Sequence, residues 1–195
     1  DLEIVPQYQA AFAFVGAHER VYPMIRAAEG VLSLDQFINS RAYYRSWARY
    51  APYNVYTSVE SLHNLVEAKG WDEPVELAGF PFSEKAPSGG SAATRVTIPF
   101  TSYNRVDYLY DPASNKYLRT LSGEPHNDTV TEQPLAAANL AVQQVTTTAT
   151  DITDSIGSPV LLMKLQGEGP AWVFRDGLVY PARWVRDGTM EMTKF

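Results

Sequence analysis

The segment YLRTLSGEPHND contains the side chains whose types and spacing could do chemistry. Tyr117 and Arg119 are two residues apart, and so are His126 and Asp128. An imidazole that a carboxylate orients can act as a general acid or base, and an arginine beside it can bind an anionic group. In a catalytic interpretation, His126 is therefore the acid or base, Asp128 orients it, and Arg119 binds the substrate anion.

The same segment also fits an architectural turn. Gly123 and Pro125 favour a turn, in which Asp128 can accept hydrogen bonds from backbone N–H groups. The chain has three histidines, no cysteine and no HExxH motif, so we expect neither a metal nor a cofactor. In this interpretation, which we prefer, Arg119 and His126 are bonded within the protein and no catalytic residue is assigned.

A second candidate group lies in the segment RAYYRSWARY, which spans residues 41–50. Arg41, Arg45 and Arg49 recur every four residues among tyrosines and a tryptophan. If the segment is helical, the arginines form one basic stripe that can bind carboxylate or phosphate groups. In the catalytic interpretation, Arg49 is the alternative to Arg119 as the residue that binds the anion. Alternatively, the guanidinium groups stack on the aromatic rings and bridge two lobes.

Composition argues against several classes of function. The net charge of −6 and the absence of a Lys/Arg run argue against nucleic acid as a partner. No apolar run approaches the roughly 18 residues of a membrane span, so we expect membrane association only through segments outside this chain. A serine hydrolase has no support because G-x-S-x-G is absent, and SGGSAATR (88–95) lacks the ending of a phosphate-binding loop.

The first third of the chain is typical of an α/β structure. YQAAFAFVG (8–16) indicates a buried strand, and HERVYPMIRAAEG (18–30) indicates a helix. TSVESLHNLVEAKG (57–70) has the apolar face of a helix. Thr57 and Glu60 have the T-x-x-E spacing of a capping box, which predicts that Thr57 caps this helix.

From Thr94 onward the pattern favours short antiparallel strands. TRVTIPF and RVDYLYD alternate apolar and polar residues, and Asp-Gly in RDGL (175–178) predicts a hairpin. The predicted fold class is therefore α+β, a small α/β N-terminal lobe packed on a mainly antiparallel β-sheet C-terminal half. We place the lobe at residues 1–83, a loop or linker at 84–93, and the antiparallel domain at 94–195.

Three ordered segments resemble the YerB-like putative lipoproteins of bacteria. YYRSWARYAPYNVYTSVESL (43–62) resembles their Y-R-x-x-x-R-x-A-P-x-N-x-Y-T-S segment. VDYLYDPASNKYLRTLSGEPHND (106–128), followed by AAANLAVQQV (136–145), resembles their segment with Y-x-R and G-x-x-H-x-D. GEGPAWVFRDGLVYPARWVR (167–186) resembles their G-x-G-x-x-x-x-F-x-D-G hairpin. The polar positions that match the pattern are Arg45, Arg49, Asn54, Tyr117, Arg119, His126, Asp128 and Asn139, and all but Asp128 are taken as ligand-binding candidates.

The resemblance implies a location outside the cytoplasmic membrane, on the cell surface or periplasmic side, often with a lipid anchor. YerB-like proteins usually continue beyond both ends of the present chain. We therefore expect another polypeptide, or the missing part of the same precursor, to complete the sheet.

These expectations predict a non-enzymatic binding or assembly module of the cell envelope, which could be a subunit of a larger complex and could bind an anionic envelope ligand. The alternative is a hydrolase or transferase that acts on envelope glycan or another anionic polymer.

Overall fold

The computed structural model describes residues 2–100, 104–154 and 157–195, and it divides the chain into two compact units. Each unit is built from three separate stretches of the chain, whereas the sequence predicted the contiguous domains 1–83 and 94–195. Residues 71–90 form neither helix nor strand, a longer irregular stretch than the predicted linker. Unit 1 comprises Asp1–Gly79, Thr146–Gly167 and Arg186–Thr193, and unit 2 comprises Phe80–Val145, Glu168–Val185 and Lys194–Phe195.

Unit 1 begins with a βαβ arrangement. Strand β1 (Ala11–Phe14) pairs in parallel with β2 (Leu32–Asp35), and helix α1 (Tyr22–Ala27) lies between them in the chain. Pro23 lies in the first turn of α1, where the missing N–H leaves no hydrogen bond unmade. Because proline is tolerated only at the start of a helix, α1 is shorter than the predicted 18–30. The predicted α/β character of this part is confirmed.

The rest of unit 1 is built from short elements. Its two antiparallel strand pairs are β3 with β4 and β12 with β13, and each pair forms a two-stranded sheet. The bounds are Tyr43–Arg45 for β3, Val55–Thr57 for β4, Val59–Ala68 for helix α2, Thr147–Thr153 for β12 and Pro159–Met163 for β13, with 3₁₀ helices at Val5–Tyr8 and Ser40–Ala42.

Helix α2 is capped by a different residue from the one predicted. The Oγ atom of Ser58 accepts a hydrogen bond from the backbone N–H of Ser61 at 3.1 Å. Thr57 instead ends β4, paired with Tyr43, and donates its hydroxyl to the carbonyl of Ala42 at 2.7 Å. The prediction that Thr57 caps the helix is therefore wrong. Strand pairing holds Thr57 in β4, so the cap falls to the next hydroxyl residue in the chain.

A buried arginine joins distant segments of unit 1. Arg186 is only 1% exposed, and its guanidinium donates hydrogen bonds to the backbone carbonyls of Glu3, Thr189 and Glu191. A buried guanidinium is stable only when acceptors surround it, and these carbonyls meet that need. Burial lowers the pKa of Arg186 from its usual value. The Arg186 side chain thus serves the fold of unit 1.

The described part of unit 2 contains two antiparallel sheets. The first has the order β10-β8-β7-β6, with β9 paired to β8, and the second has the order β11-β14-β15-β5. The prediction of antiparallel strands is confirmed, and the protein is an α+β protein with predominantly β structure. The bounds are Ser91–Ala92 for β5, Arg95–Pro99 for β6, Arg105–Asp111 for β7, Lys116–Leu121 for β8, Glu124–Pro125 for β9, Ala136–Ala137 for β10, Asn139–Gln143 for β11, Gly167–Arg175 for β14 and Leu178–Arg186 for β15.

The hairpin predicted at RDGL joins β14 to β15. Asp176 and Gly177 both have positive φ angles, of 54° and 73°, as a two-residue type I′ turn requires. A Cβ atom at Gly177 would lie 2.7 Å from the ring of Tyr110, so a side chain at this position would also meet the aromatic core of unit 2. The sequence prediction of this hairpin is confirmed.

Candidate functional site

The loop between β3 and β4 carries the most exposed aromatic side chains of unit 1. We call residues 46–54 the aromatic loop. Its rings Trp47, Tyr50 and Tyr53 are 101%, 92% and 78% exposed. Within the described part of the chain, none of the three stacks on another ring or under a cation. They are therefore free to contact something outside this chain.

Hydrogen bonds fix the base of the aromatic loop. The backbone N–H of Ser46 donates to the carbonyl of Asn54 at 2.8 Å. The side-chain oxygen of Asn54 accepts from Arg45 Nη1 at 2.7 Å, and its amide nitrogen donates to the Ser46 carbonyl at 3.3 Å. Next to the loop, the rings of Tyr44 and Tyr56 stack across the strand pair with centroids 5.9 Å apart. Arg45 and Asn54, both predicted from the family pattern, thus close the loop.

The arginines of this segment do not form the helical stripe considered in the sequence analysis. Arg41 lies in a 3₁₀ helix, Arg45 lies in β3, and Arg49 lies in the aromatic loop. Pro52 excludes a regular helix after Arg49, and the tyrosines before it favour a strand. The stacking alternative also finds no support, because the cation–π pairs of the described residues, Arg26 with Tyr22 and Lys69 with Trp71, involve none of these arginines.

The charged residues in and next to the aromatic loop along the chain are arginines. Residues 36–59 contain three arginines and no aspartate, glutamate or lysine. Arg41, Arg45 and Arg49 are all exposed. Among the residues that the structure describes, the side chains of Arg41 and Arg49 have no hydrogen-bond or ion-pair partner. Their guanidinium donors are available to an anion, in a chain whose net charge is −6.

The second predicted group lies in unit 2, and its tyrosine is part of the core. Tyr117 in β8 is 0% exposed, between the rings of Tyr110 and Phe174. Its hydroxyl donates weakly to the carbonyls of Ala93 and Leu178, at 3.3 and 3.4 Å. Burial raises the pKa of the Tyr117 hydroxyl above its usual value. A ring in this position packs the core and is not accessible to a ligand.

Arg119 and His126 are joined through their backbones. The N–H of His126 donates to the carbonyl of Arg119 at 3.0 Å, and the N–H of Arg119 donates to the carbonyl of Leu135 at 2.8 Å. The buried Nδ1 atom of the His126 side chain has no hydrogen-bond partner among the described residues. Arg119 and His126 are therefore bonded within the protein through their backbones, but Nδ1 of His126 lacks the bond expected of its side chain.

Asp128 shapes the loop that follows it. Its Oδ1 atom accepts hydrogen bonds from the backbone N–H groups of Val130 and Thr131, at 3.1 and 2.7 Å, and from the Thr131 hydroxyl at 2.9 Å. The hydrogen bond from the Thr131 N–H is the main cause that holds the pKa of Asp128 below its usual value. The prediction that Asp128 accepts backbone hydrogen bonds is confirmed. The remaining candidate, Asn139, is exposed at the start of β11, opposite Arg175 of β14.

A buried carboxylate that the sequence analysis missed lies on the first sheet of unit 2. Asp107 is 1% exposed and accepts hydrogen bonds from Thr97, Arg95 and Arg105, at 2.5, 3.0 and 2.9 Å. The Thr97 hydroxyl is the main cause that lowers the pKa of Asp107. Strand register places Thr97 opposite Asp107, and the alternation of β6 and β7 in the sequence does not reveal this pairing. Both arginines are half-exposed, so the group stabilises the sheet at its surface.

Residues 2–100, 104–154 and 157–195 contain no group of three or more His, Cys, Asp or Glu side chains that could hold a metal ion. No helix in these same ranges is long and apolar enough to cross a membrane.

The chain is similar in structure to a protein of known structure. The crystal structure of YerB from Bacillus subtilis matches with a TM-score of 0.76 and 20% sequence identity. The match covers 97% of this chain and 62% of that protein, so the chain spans less than two thirds of the length of YerB. At this identity the likeness concerns the fold. The comparison with curated proteins gives no match.

Two domains of one family account for most of the sequence. The N-terminal domain of the proteins of unknown function DUF3048 matches residues 1–72, and the C-terminal domain matches residues 96–195. The resemblance to YerB-like proteins is confirmed by both the sequence and the fold. The chain belongs to the DUF3048 family of proteins of unknown function.

Proposed function

We propose that this protein is a non-enzymatic binding module of the bacterial cell envelope, outside the cytoplasmic membrane, with the aromatic loop as its contact surface. The observation that carries the proposal is the near-complete exposure of Trp47, Tyr50 and Tyr53 on a loop whose base is fixed. Aromatic residues and arginine are enriched at contact surfaces, where they lose water on binding. A fixed loop base lowers the ordering cost of binding.

The charge of the surface indicates the sign of the ligand. The exposed guanidinium groups of Arg41 and Arg49 have no intramolecular partner in the described structure. A guanidinium presents several N–H donors that match carboxylate and phosphate oxygens. An anionic component of the envelope therefore fits this surface.

The geometry of unit 2 gives less support to a hydrolase or transferase. In that alternative Asp128 must orient the imidazole of His126, yet Asp128 Oδ1 accepts three hydrogen bonds from its own loop. The single observation on the catalytic side is the buried Nδ1 atom of His126 without a partner. The binding module is therefore the function that this arrangement supports best.

Sedimentation with envelope fragments tests the proposal. The purified 195-residue protein is mixed with washed envelope from a bacterium, and the bound fraction is compared with that of the double variant Trp47→Ala/Tyr50→Ala. We expect the double variant to bind at least about tenfold more weakly, since each ring contributes contact area. Phe82→Ala is the matched control, because Phe82 is an aromatic residue outside the loop that is 86% exposed, and it should bind like the wild type.

The same samples separate binding from catalysis. Soluble glycan fragments are measured in the supernatant of the wild type and of His126→Ala. No release of fragments and unchanged binding by His126→Ala agree with the binding module. Fragment release that His126→Ala abolishes contradicts it and supports the enzyme.

The proposed location has its own test. Cells that carry the native gene are separated into cytoplasm, membrane and outer fractions, and the protein is detected with an antibody. We expect it in the envelope fractions, with an anchor in the intact precursor. Recovery only in the cytoplasm would contradict the location and the choice of ligand.

A further inference from the structure

We propose that the aromatic loop docks onto the surface of an anionic lipid bilayer, with its three rings at the level of the headgroups. The inference rests on the proposed function, because it names the ligand of the same surface. It departs from the sequence-based expectation that only segments outside residues 1–195 reach the membrane. The partner is the bilayer itself, recognised by its interfacial layer and its negative charge.

The exposure of the rings favours a bilayer over a glycan chain. A sugar-binding platform needs rings that neighbouring side chains hold in one plane, because a specific pose is costly for mobile groups. Trp47 is 101% exposed and Tyr50 is 92% exposed, so no neighbouring side chain covers either ring. The interfacial region of a bilayer accepts such rings in many orientations, with the apolar body inward and the N–H or O–H group in contact with water.

The arrangement along the loop suits shallow insertion. Ser46 and Asn54 are joined by backbone and side-chain hydrogen bonds, so the two ends of the loop stay together. Trp47, Tyr50 and Tyr53 all lie between these ends. Tryptophan and tyrosine are the residues enriched at the membrane–water interface, and a short loop that bears them can enter the headgroup layer without burying an unpaired strand.

The arginines determine which lipids are bound. Residues 36–59 carry three exposed arginines and no acidic residue. The net charge of the whole chain is −6, but charges farther than about 10 Å from the contact are largely screened at 0.1 M salt. Arg45 at the base of the loop and Arg49 within it are therefore the charges that the chain places at the contact. Each arginine near an anionic leaflet should strengthen binding about fivefold.

Vesicle sedimentation provides the first measurement. The 195-residue protein is mixed with vesicles of phosphatidylcholine alone, or with vesicles that contain phosphatidylglycerol as the anionic lipid. We expect binding to the anionic vesicles, weak binding to the neutral ones, and a decrease as salt rises. Upon binding, tryptophan emission should shift to shorter wavelength, and this shift should be absent in Trp47→Ala.

Matched variants separate rings from charge. Trp47→Ala/Tyr50→Ala removes two rings at constant charge, and Arg41→Gln/Arg49→Gln removes two charges at constant ring number. Each double variant should bind the anionic vesicles at least about tenfold more weakly. The first loses rings that favour the membrane–water interface, and the second loses attraction to the negative surface potential. Phe82→Ala and Lys85→Gln, both at exposed positions outside the loop, are the controls and should bind like the wild type.

A parallel binding assay with a purified anionic wall polymer distinguishes the possible failures. If the wild type binds the polymer through the loop but not the anionic vesicles, the bilayer is overturned and the proposed binding module stands. If the wild type binds neither the polymer nor the vesicles, both the membrane inference and the proposed binding module are overturned. Equal binding of wild type and Trp47→Ala/Tyr50→Ala to the vesicles would also overturn the membrane inference, since another surface of the protein would then bind the vesicles.

Discussion

Unit 1 and unit 2 each contain a segment rich in tyrosine and arginine, and the two segments use these residues in opposite ways. In the aromatic loop of unit 1, Tyr50 is 92% exposed and Arg49 has no partner within the described structure. In the first sheet of unit 2, Tyr117 is fully buried and Arg95 is paired with Asp107 at 3.0 Å. The same residue types are therefore exposed on a loop in one unit, where we propose a contact surface, and are buried or paired within a sheet in the other.

The difference between the two segments follows from the neighbours that the fold provides. Strands β7 and β8 pair over six positions, so Tyr117 meets Tyr110 across the ladder, and a second sheet supplies Phe174. Strands β3 and β4 pair over only three positions and form a two-stranded sheet. A two-stranded sheet has too little apolar surface to bury the rings of its own loop. The rings of the aromatic loop therefore stay exposed to solvent.

The largest effect is expected from truncation of the buried ring. Tyr117→Ala should lower the free energy of unfolding by about 3–5 kcal/mol, because it leaves a cavity between Tyr110 and Phe174. Urea unfolding followed by circular dichroism measures the change. Tyr117→Phe keeps the ring and should cost about 1 kcal/mol for its weak hydroxyl bonds. Equal losses in both variants would show that the hydroxyl, and not the packing, matters most.

A smaller and pH-dependent effect is expected from Asp107→Asn. The pKa of Asp107 is lower in the folded protein, mainly through the Thr97 hydroxyl and then through Arg95 and Arg105. Such a group stabilises the fold above its unfolded pKa of about 3.9, and this contribution is lost as the pH falls through the folded value. The difference in urea midpoint between wild type and variant should thus be constant near neutral pH and shrink below about pH 4.

The control for this pH dependence is Asp72→Asn, at an exposed position. It should leave the midpoint unchanged at every pH. A wild-type advantage over Asp107→Asn that grows on acidification would contradict the lowered pKa.

A still smaller effect is expected at the base of the aromatic loop. Asn54→Ala removes the acceptor of Arg45 and the donor to Ser46, and should cost about 0.5–1 kcal/mol because both bonds are partly exposed to water. Amide hydrogen exchange at Ser46 should become faster, since its N–H bonds to the Asn54 carbonyl. Tyr53→Ala, the adjacent control, should leave this exchange unchanged. Unchanged exchange in Asn54→Ala would mean that backbone pairing alone closes the loop.

The smallest effect on stability is expected from Trp47→Ala. The side chain is 101% exposed, so the free energy of unfolding should change by less than about 0.5 kcal/mol. Trp184→Ala is the contrast, because Trp184 is 3% exposed and donates to the Gln144 carbonyl at 2.8 Å, and it should cost about 3–5 kcal/mol. Thermal melts measure both. A clear loss of stability in Trp47→Ala would mean that the Trp47 ring packs within the fold and does not belong to the proposed contact surface.

Local sequence determined the elements that depend on near neighbours. The Asp-Gly turn at 176–177, the alternation in β6 and β7, and the apolar face of α2 predicted the hairpin, the strands and the helix, and the structure contains them all. These features need only residues a few positions apart, so their signals survive in a single sequence. The family pattern likewise identified Arg45 and Asn54, which are bonded to each other.

Tertiary structure alone decided which polar and aromatic residues are buried. Tyr50 and Tyr117 cannot be distinguished by residue type, and only the second sheet of unit 2 makes one of them a core residue. Asp107 gained its partners through strand register, and Thr57 lost the cap because pairing with Tyr43 held it in β4. Burial and pairing depend on contacts between residues far apart in the chain, and a single sequence does not contain those distances.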